Sequence, residues 1–173
     1  PRTLQAYTVM EHNRFNSERL TWSSTISNGH EELIKATLPA QKVIYTEQNE
    51  SEDPFLTVLD YSGIDAIAVT GLKEAHALSL RVTNYKAPQV TIRSSEVDAW
   101  NEVTNHLRPS HHVQFVQSEG HTRYVIIVDL TEFRKLNDSY EYLYKINSKK
   151  GNGHFYAFTK EALELPCVRV WEL

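Results

Sequence analysis

The chain has 173 residues, 40% of them hydrophobic and 23% charged, the balance of one globular domain with a sizeable core rather than of a disordered or fibrous chain. A formal net charge of −4 excludes a histone-like binder working by bulk electrostatics, and no apolar run reaches the roughly 18–20 residues needed to span a bilayer. The single Cys167 excludes an internal disulfide and is expected to be a buried small hydrophobe; residues 1–5 lack the apolar core of a signal peptide and read as a start after Met removal, so a reducing cytoplasm is the expected compartment.

Residues 4–10 have strand composition, and 11–18 are polar. A helix is expected to start at Asn28, a capping residue, with Glu31 and Glu32 in the first turn, where the helix dipole favours acids. Leu33, Ile34, Ala36 and Leu38 give it an apolar side, and Pro39 ends it. Strands are expected over 42–46 and 55–59, separated by an acidic, polar loop at 47–54. The stretch 64–69 is apolar almost throughout, as in a central strand, and strands over 75–82 and 89–92 follow. Val97, Trp100, Val103 and Leu107 recur at helical spacing, which predicts a helix over 96–107 capped by Ser94 or Ser95. Residues 112–116 and 123–128 predict a hairpin turning at Glu119-Gly120. A short helix at 130–136, strands at 140–146 and 153–158, a helical turn at 160–165 and a last strand at 167–171 complete the chain. This order predicts an α+β or mixed α/β fold, a central mixed β-sheet flanked by helices. No repeat or linker divides it, so one domain is expected, with a core motif region at 28–95 and a strand-rich portion at 96–173.

The most informative stretch is Gly63-Ile64-Asp65-Ala66-Ile67-Ala68, followed after a Gly71 turn by Ser79-Leu80-Arg81. An acid opens one apolar strand, and a polar-x-basic triplet sits in the next. Glu31-Glu32-Leu33-Ile34 precedes both on the expected helix. Taken singly, Asp65 starts a strand beside a glycine turn, Glu31 and Glu32 compensate a helix dipole, and the triplet is the alternation of a half-exposed strand. Taken together, from Glu32 through Arg81, their order resembles the PD-(D/E)xK nuclease superfamily, which includes many restriction endonucleases and archaeal Holliday-junction resolvases.

The resemblance implies a restriction-endonuclease-like fold and Mg²⁺-dependent hydrolysis of DNA or RNA phosphodiesters. It implies Asp65 and Glu32 (or Glu31) as metal ligands and Asp65, Glu32, Ser79 and Arg81 as the catalytic set; many such enzymes work as homodimers. Hard divalent cations suit this chemistry because they prefer carboxylate oxygens and supply both a nucleophilic water and neutralised phosphate charge. The chain departs from the family at two positions: the motif Glu stands as Ser79 and the motif Lys as Arg81. A hydroxyl is a poor Mg²⁺ ligand without carboxylate support. Arg81 keeps a positive charge and binds phosphate, yet it cannot readily serve as a base. Glu74 and Asp60 are the candidates for a relocated carboxylate. Three expectations follow: a Mg²⁺-dependent endonuclease, a catalytically degenerate domain that binds nucleic acid or protein, and an unrelated α+β interaction protein in which Asp65, Ser79 and Arg81 do not converge.

A short basic run, Arg81, Lys86 and Arg93, lies beside the motif, and Ser148-Lys149-Lys150 forms a basic hairpin tip; both could grip a nucleic-acid backbone. The loop at 147–153 lacks phosphate-loop order. His106, His111, His112 and His121 lie close in sequence, but no Cys or ordered carboxylate completes a zinc pattern. A His that activates a nucleophile would need a Ser or Cys beside it in space. Tyr140, Tyr142 and Tyr144 alternate on one expected strand, with Tyr156 across the hairpin, and read as an aromatic face in the core, at a subunit contact or in base stacking.

Overall fold

The computed structural model describes residues 2–3, 24–47, 53–98, 100, 107–136, 140–147 and 154–173. The expected strand at 4–10, His106 and the Lys149-Lys150 tip lie outside them. Helix α1 (Ser24–Thr37) buries His30, Leu33, Ile34 and Thr37, three or four residues apart, so that one stripe packs on a sheet. The His30 ring stacks on Phe115 with centroids 4.0 Å apart. Off this stripe, Lys35 bridges Glu31 at 3.6 Å and Glu32 at 3.8 Å. The helix begins upstream of Asn28, and its first turn carries no acid. Asn28 and Gly29 are therefore carried inside the helix, because tertiary packing outweighs their poor propensity. Glu31 and Glu32 surround Lys35 rather than compensating the dipole.

Helix α2 (Pro54–Tyr61) replaces the strand expected at 55–59. Asp53 Oδ1 accepts from the Phe55 amide at 2.9 Å, and Pro54 occupies the first turn, where its missing N–H costs nothing. The short apolar run is compatible with either structure; this cap decides it. Gly63, at φ +80°, closes the helix: its amide reaches Asp60 O at 3.0 Å and the Ile64 amide reaches Leu59 O at 3.0 Å.

The large sheet has seven strands. β2 (Lys42–Tyr45), β3 (Ala66–Gly71) and β4 (Glu74–Asn84) form an antiparallel run. β4 then pairs in parallel with β6 (His111–Ser118), which forms the predicted hairpin with β7 (His121–Asp129). Glu119 and Gly120 take φ of 55° and 77°, the doubly left-handed turn that matches strand twist. β7 pairs with β10 (Val168–Glu172), and the two-residue β1 (Arg2–Thr3) adds to β10 in parallel. The order is β1-β10-β7-β6-β4-β3-β2. A second sheet of three strands runs β5-β9-β8, from β5 (Thr91–Arg93), β9 (His154–Phe158) and β8 (Leu143–Asn147). Tyr140 takes a positive φ of 60° ahead of β8, so Tyr140 and Tyr142 lie outside the strand expected to align them with Tyr144. Three short helices, α3 (Ser94–Asp98), α4 (Leu130–Leu136) and α5 (Lys160–Leu163), complete the described elements.

The middle of the large sheet is buried on both faces, and β7 shows why its second half is apolar. Val125 and Ile127 join the core under α1, while Ile126 and Val128 join a second core with Phe133, Phe158 and Leu143. The small sheet, α3 and α4 thus cover the face opposite α1. The fold is α+β, with a mixed central sheet flanked by helices. No described helix is long and apolar enough to cross a membrane. Cys167 is half-buried rather than buried, just before β10.

A cleft of carboxylates and arginines where the two sheets meet

The turn at Gly63 delivers Asp65 to the edge of the β3–β4 ladder. The Asp65 amide donates to Leu78 O at 2.8 Å, and its Oδ2 accepts from the Leu80 amide at 2.7 Å. The Thr46 amide holds Asp65 O at 3.0 Å, and the Thr46 hydroxyl donates to Ile64 O at 2.8 Å. The carboxylate is thereby fixed over β4, beside the Ser79-Leu80-Arg81 triplet. Burial raises its pKa to about 6; the Leu80 N–H opposes this, the Asp60 and Glu47 charges add to it, and Arg93 opposes it.

Asp65, Ser79 and Arg81 open onto one cleft of about 470 Å³, which Asp60, Arg93, Glu96 and His112 also line. The convergence expected from the motif is therefore present, and the reading in which the three residues stay apart does not hold. Glu32 does not line this cleft. It pairs with Lys35, and its charge, like that of Glu31, acts on Tyr45, whose buried hydroxyl is held far above its ordinary pKa, first by burial. Glu74 is exposed at the far end of β4, 3.5 Å from His76. Asp60, the other candidate, reaches the cleft. Of the basic run, Arg81 and Arg93 share the cleft, whereas Lys86 is exposed beside Tyr85 and Glu119 on a separate groove.

Sequence reading missed Glu96. It sits in the first turn of α3, directly after β5, and faces Asp65 across the cleft. Burial first, and then the Asp65 charge, raise its pKa to about 7, against the lowering effect of Arg134, Arg93 and Arg81. Its Oε1 is buried and has no hydrogen-bond partner among the described residues. The sequence signal is there, an acid three residues after Arg93, but nothing in the order of residues brings it to Asp65.

Arg81 is held from two sides. Its Nε donates to Thr91 Oγ1 at 2.7 Å, and its guanidinium lies 4.0 Å from the Phe155 ring centroid. Burial, and then the Arg93 charge, pull its pKa down to about 10, so it still carries a charge at neutral pH. Phe155 and Thr91 belong to the small sheet, which is how that sheet closes the cleft.

Beneath Ser79 runs a buried chain of polar side chains whose proton positions follow from one fixed donor. The Thr91 amide can only donate, and it meets Gln114 Oε1 at 3.3 Å. Gln114 Oε1 also faces His112 Nε2 at 2.8 Å, and Gln114 Nε2 donates to Thr83 Oγ1 at 2.8 Å. His112 Nε2 must therefore carry the proton, and Nδ1 must be the bare acceptor. Nδ1 lies 3.3 Å from Ser79 Oγ, so the Ser79 hydroxyl donates inward to it. Burial, with Arg81 acting in the same sense, lowers the His112 pKa to about 4, which keeps the ring neutral at physiological pH. Ser79 consequently offers lone pairs, not a proton, to the cleft. It is an acceptor, as a carboxylate there would be, but without the charge.

Two of the other described histidines meet. His76 and His111 lie ring to ring at 4.5 Å, with Ser110 Oγ 2.9 Å from His111 Nδ1. Among the described residues no three His, Cys, Asp or Glu side chains are grouped as a ready ligand set. No protein-family model matches the chain, and no curated protein matches it.

Proposed function

We propose that this chain acts on nucleic acid through the cleft between its two sheets, as a metal-dependent endonuclease of restriction-endonuclease-like fold. The observation that carries this reading is the meeting of two half-buried carboxylates, Asp65 and Glu96, with two arginines, Arg81 and Arg93, at the edge of a paired β3–β4 hairpin. A half-buried acid whose pKa is raised by a second one beside it is costly to the fold, and such clusters concentrate where chemistry is done.

Mg²⁺ fits the donors present. Asp65 has one carboxylate oxygen outside its bond to Leu80, Glu96 has the unpartnered Oε1, and Ser79 presents lone pairs; all are hard oxygen donors. With two carboxylates rather than three, the remaining positions fall to water and substrate phosphate, as Mg²⁺ commonly accepts. When bound, the cation would lower the pKa of a coordinated water and polarise the phosphate. The chain's own residues do the rest. Arg93 and the charged edge of Arg81 bind phosphate oxygens. Ser79, its proton committed to His112, accepts from an attacking water and orients it.

The test is hydrolysis of single- and double-stranded DNA and RNA with Mg²⁺ or Mn²⁺. Asp65→Asn and Glu96→Gln should each reduce cleavage by roughly 10²–10³-fold, the usual effect of deleting one preorganised electrostatic group. Cleavage that survives Asp65→Asn would overturn the assignment. The second reading, a degenerate module that binds nucleic acid or protein without cutting, is favoured by the Ser79 and Arg81 replacements. It requires binding that is indifferent to divalent cations.

A further inference from the structure

The cleft does not end at Glu96. A second hollow of about 410 Å³ shares Asp60, Gly63, Arg93 and Glu96 with it, so the two are halves of one trough. The second half differs in character: Tyr61, Trp100, Leu107 and Pro109 line it. Tyr61 stands exposed at 81% on one rim, at the end of α2. Trp100, also in the lining, is anchored edge-on against Phe133, with centroids 6.0 Å apart, and the Arg134 guanidinium lies 5.4 Å from the Trp100 centroid. Two buried donors here, Trp100 Nε1 and Arg134 Nε, have no hydrogen-bond partner among the described residues, and neither has the acceptor Glu96 Oε1 at the junction. The other end of Arg134 is tied down, Nη2 donating to Pro109 O at 2.8 Å.

We infer that this aromatic half is a pocket for a single unpaired nucleobase, placed next to the phosphate-binding half, so that the trough takes a single-stranded or extruded nucleotide. The inference rests on the reading of the polar half as a phosphodiester site. A flat heteroaromatic ring fits against the exposed Tyr61 ring, and its edge offers acceptors to the indole N–H and the Arg134 N–H. A stacked, paired base exposes neither its faces nor its pairing edge, so duplex is excluded from the pocket unless the base swings out. The hollow lies within the size range of small-ligand pockets, roughly 300–1,000 Å³.

The experiment is an NMR titration of the whole protein, ¹⁵N-labelled, with the four nucleoside 5′-monophosphates and, separately, ribose 5-phosphate. Trp100→Phe assigns the Trp100 indole N–H signal while keeping a ring against Phe133. The expected result is that at least one nucleotide moves this signal and ribose 5-phosphate does not, while both ligands move the Arg81 and Arg93 signals. Tyr61→Ala, at an exposed position, should weaken single-stranded oligonucleotide binding about tenfold, the scale of one lost stacking partner. If both ligands move the arginine signals and neither moves Trp100, the base pocket is overturned and the phosphate site stands. If no cleft signal moves with any ligand, both readings fall. Equal affinity for an oligonucleotide and its blunt duplex also overturns the pocket.

Discussion

Glu96→Gln isolates the energetic consequence of the cleft. Gln keeps the shape of the side chain and removes its charge. The Glu96 pKa rises from 4.5 to about 7 on folding, chiefly because the group is buried and secondarily because Asp65 faces it. A carboxyl whose pKa is raised in the fold contributes full stability below its unfolded value and loses it as pH climbs through the folded one. The window here runs from about pH 4.5 to 7. At pH 8 the ionised Glu96 costs the folded state roughly 3 kcal/mol, and at pH 5 less than about 1 kcal/mol. The variant should therefore gain about 2–3 kcal/mol relative to the parent between pH 5 and pH 8. Any fixed packing penalty of the amide cancels in that difference. Urea unfolding of both proteins at the two pH values measures it. A variant-minus-parent difference that does not change with pH, within about 0.5 kcal/mol, would mean that Glu96 ionises as freely as in the unfolded chain, and the buried pair with Asp65 would be refuted.

Three further outcomes are expected. Gly63→Ala should destabilise the protein by about 1–2 kcal/mol through its φ of +80° alone, since nothing lies within 4 Å of the added methyl, and denaturant unfolding reads this directly. Because Gly63 sets the turn that delivers Asp65, the same variant should lose more cleavage than the milder Asp53→Ala, which removes only the α2 cap, worth about 1 kcal/mol. His112 has its pKa lowered to about 4, so the unfolded chain takes up its proton first as pH falls from 6.5, and stability drops across that window by on the order of 2–3 kcal/mol; His112→Gln should flatten this part of a thermal-melting profile against pH, and an unchanged profile would show that the ring is not buried neutral.

Where one local signal acts alone, the sequence is readable. The alternation and apolar runs of β3, β4, β6 and β7 mark strands that stay within a few residues of their expected bounds, because a buried face on each leaves its backbone no partner but the neighbouring strand. The Glu119-Gly120 turn is legible for the same reason, a left-handed pair between two such runs. Misreadings arise where two signals compete. At 54–61 a five-residue apolar run suggests a strand, while the Asp53-Pro54 start that makes it a helix also reads as loop chemistry. At 24–37 the Asn28-Gly29 dipeptide looks like a start, and the stripe from His30 to Thr37 carries the helix through it.

The candidate site divides along a different line. Asp65, Ser79 and Arg81 can be paired from sequence because adjacent antiparallel strands fix their partners by register, Ala66 opposite Leu78. Glu32 cannot be tested this way. A helix can present any of its sides to a sheet, and which side α1 presents is chosen by Leu33 and Ile34, which turn Glu32 toward Lys35. Glu96 is invisible for a complementary reason. It reaches Asp65 only because β5 leaves the large sheet to pair with β9, a pairing with no signature in the order of residues. That same pairing brings Phe155 onto Arg81 and Thr91 onto both Arg81 and Gln114. One long-range strand pairing therefore positions the second carboxylate, holds the arginine and sets the direction of the Ser79 proton. If the cleft is catalytic, the charge missing at Ser79 is restored by Glu96 from a different element, and the small sheet is as much part of the site as the hairpin that carries the motif.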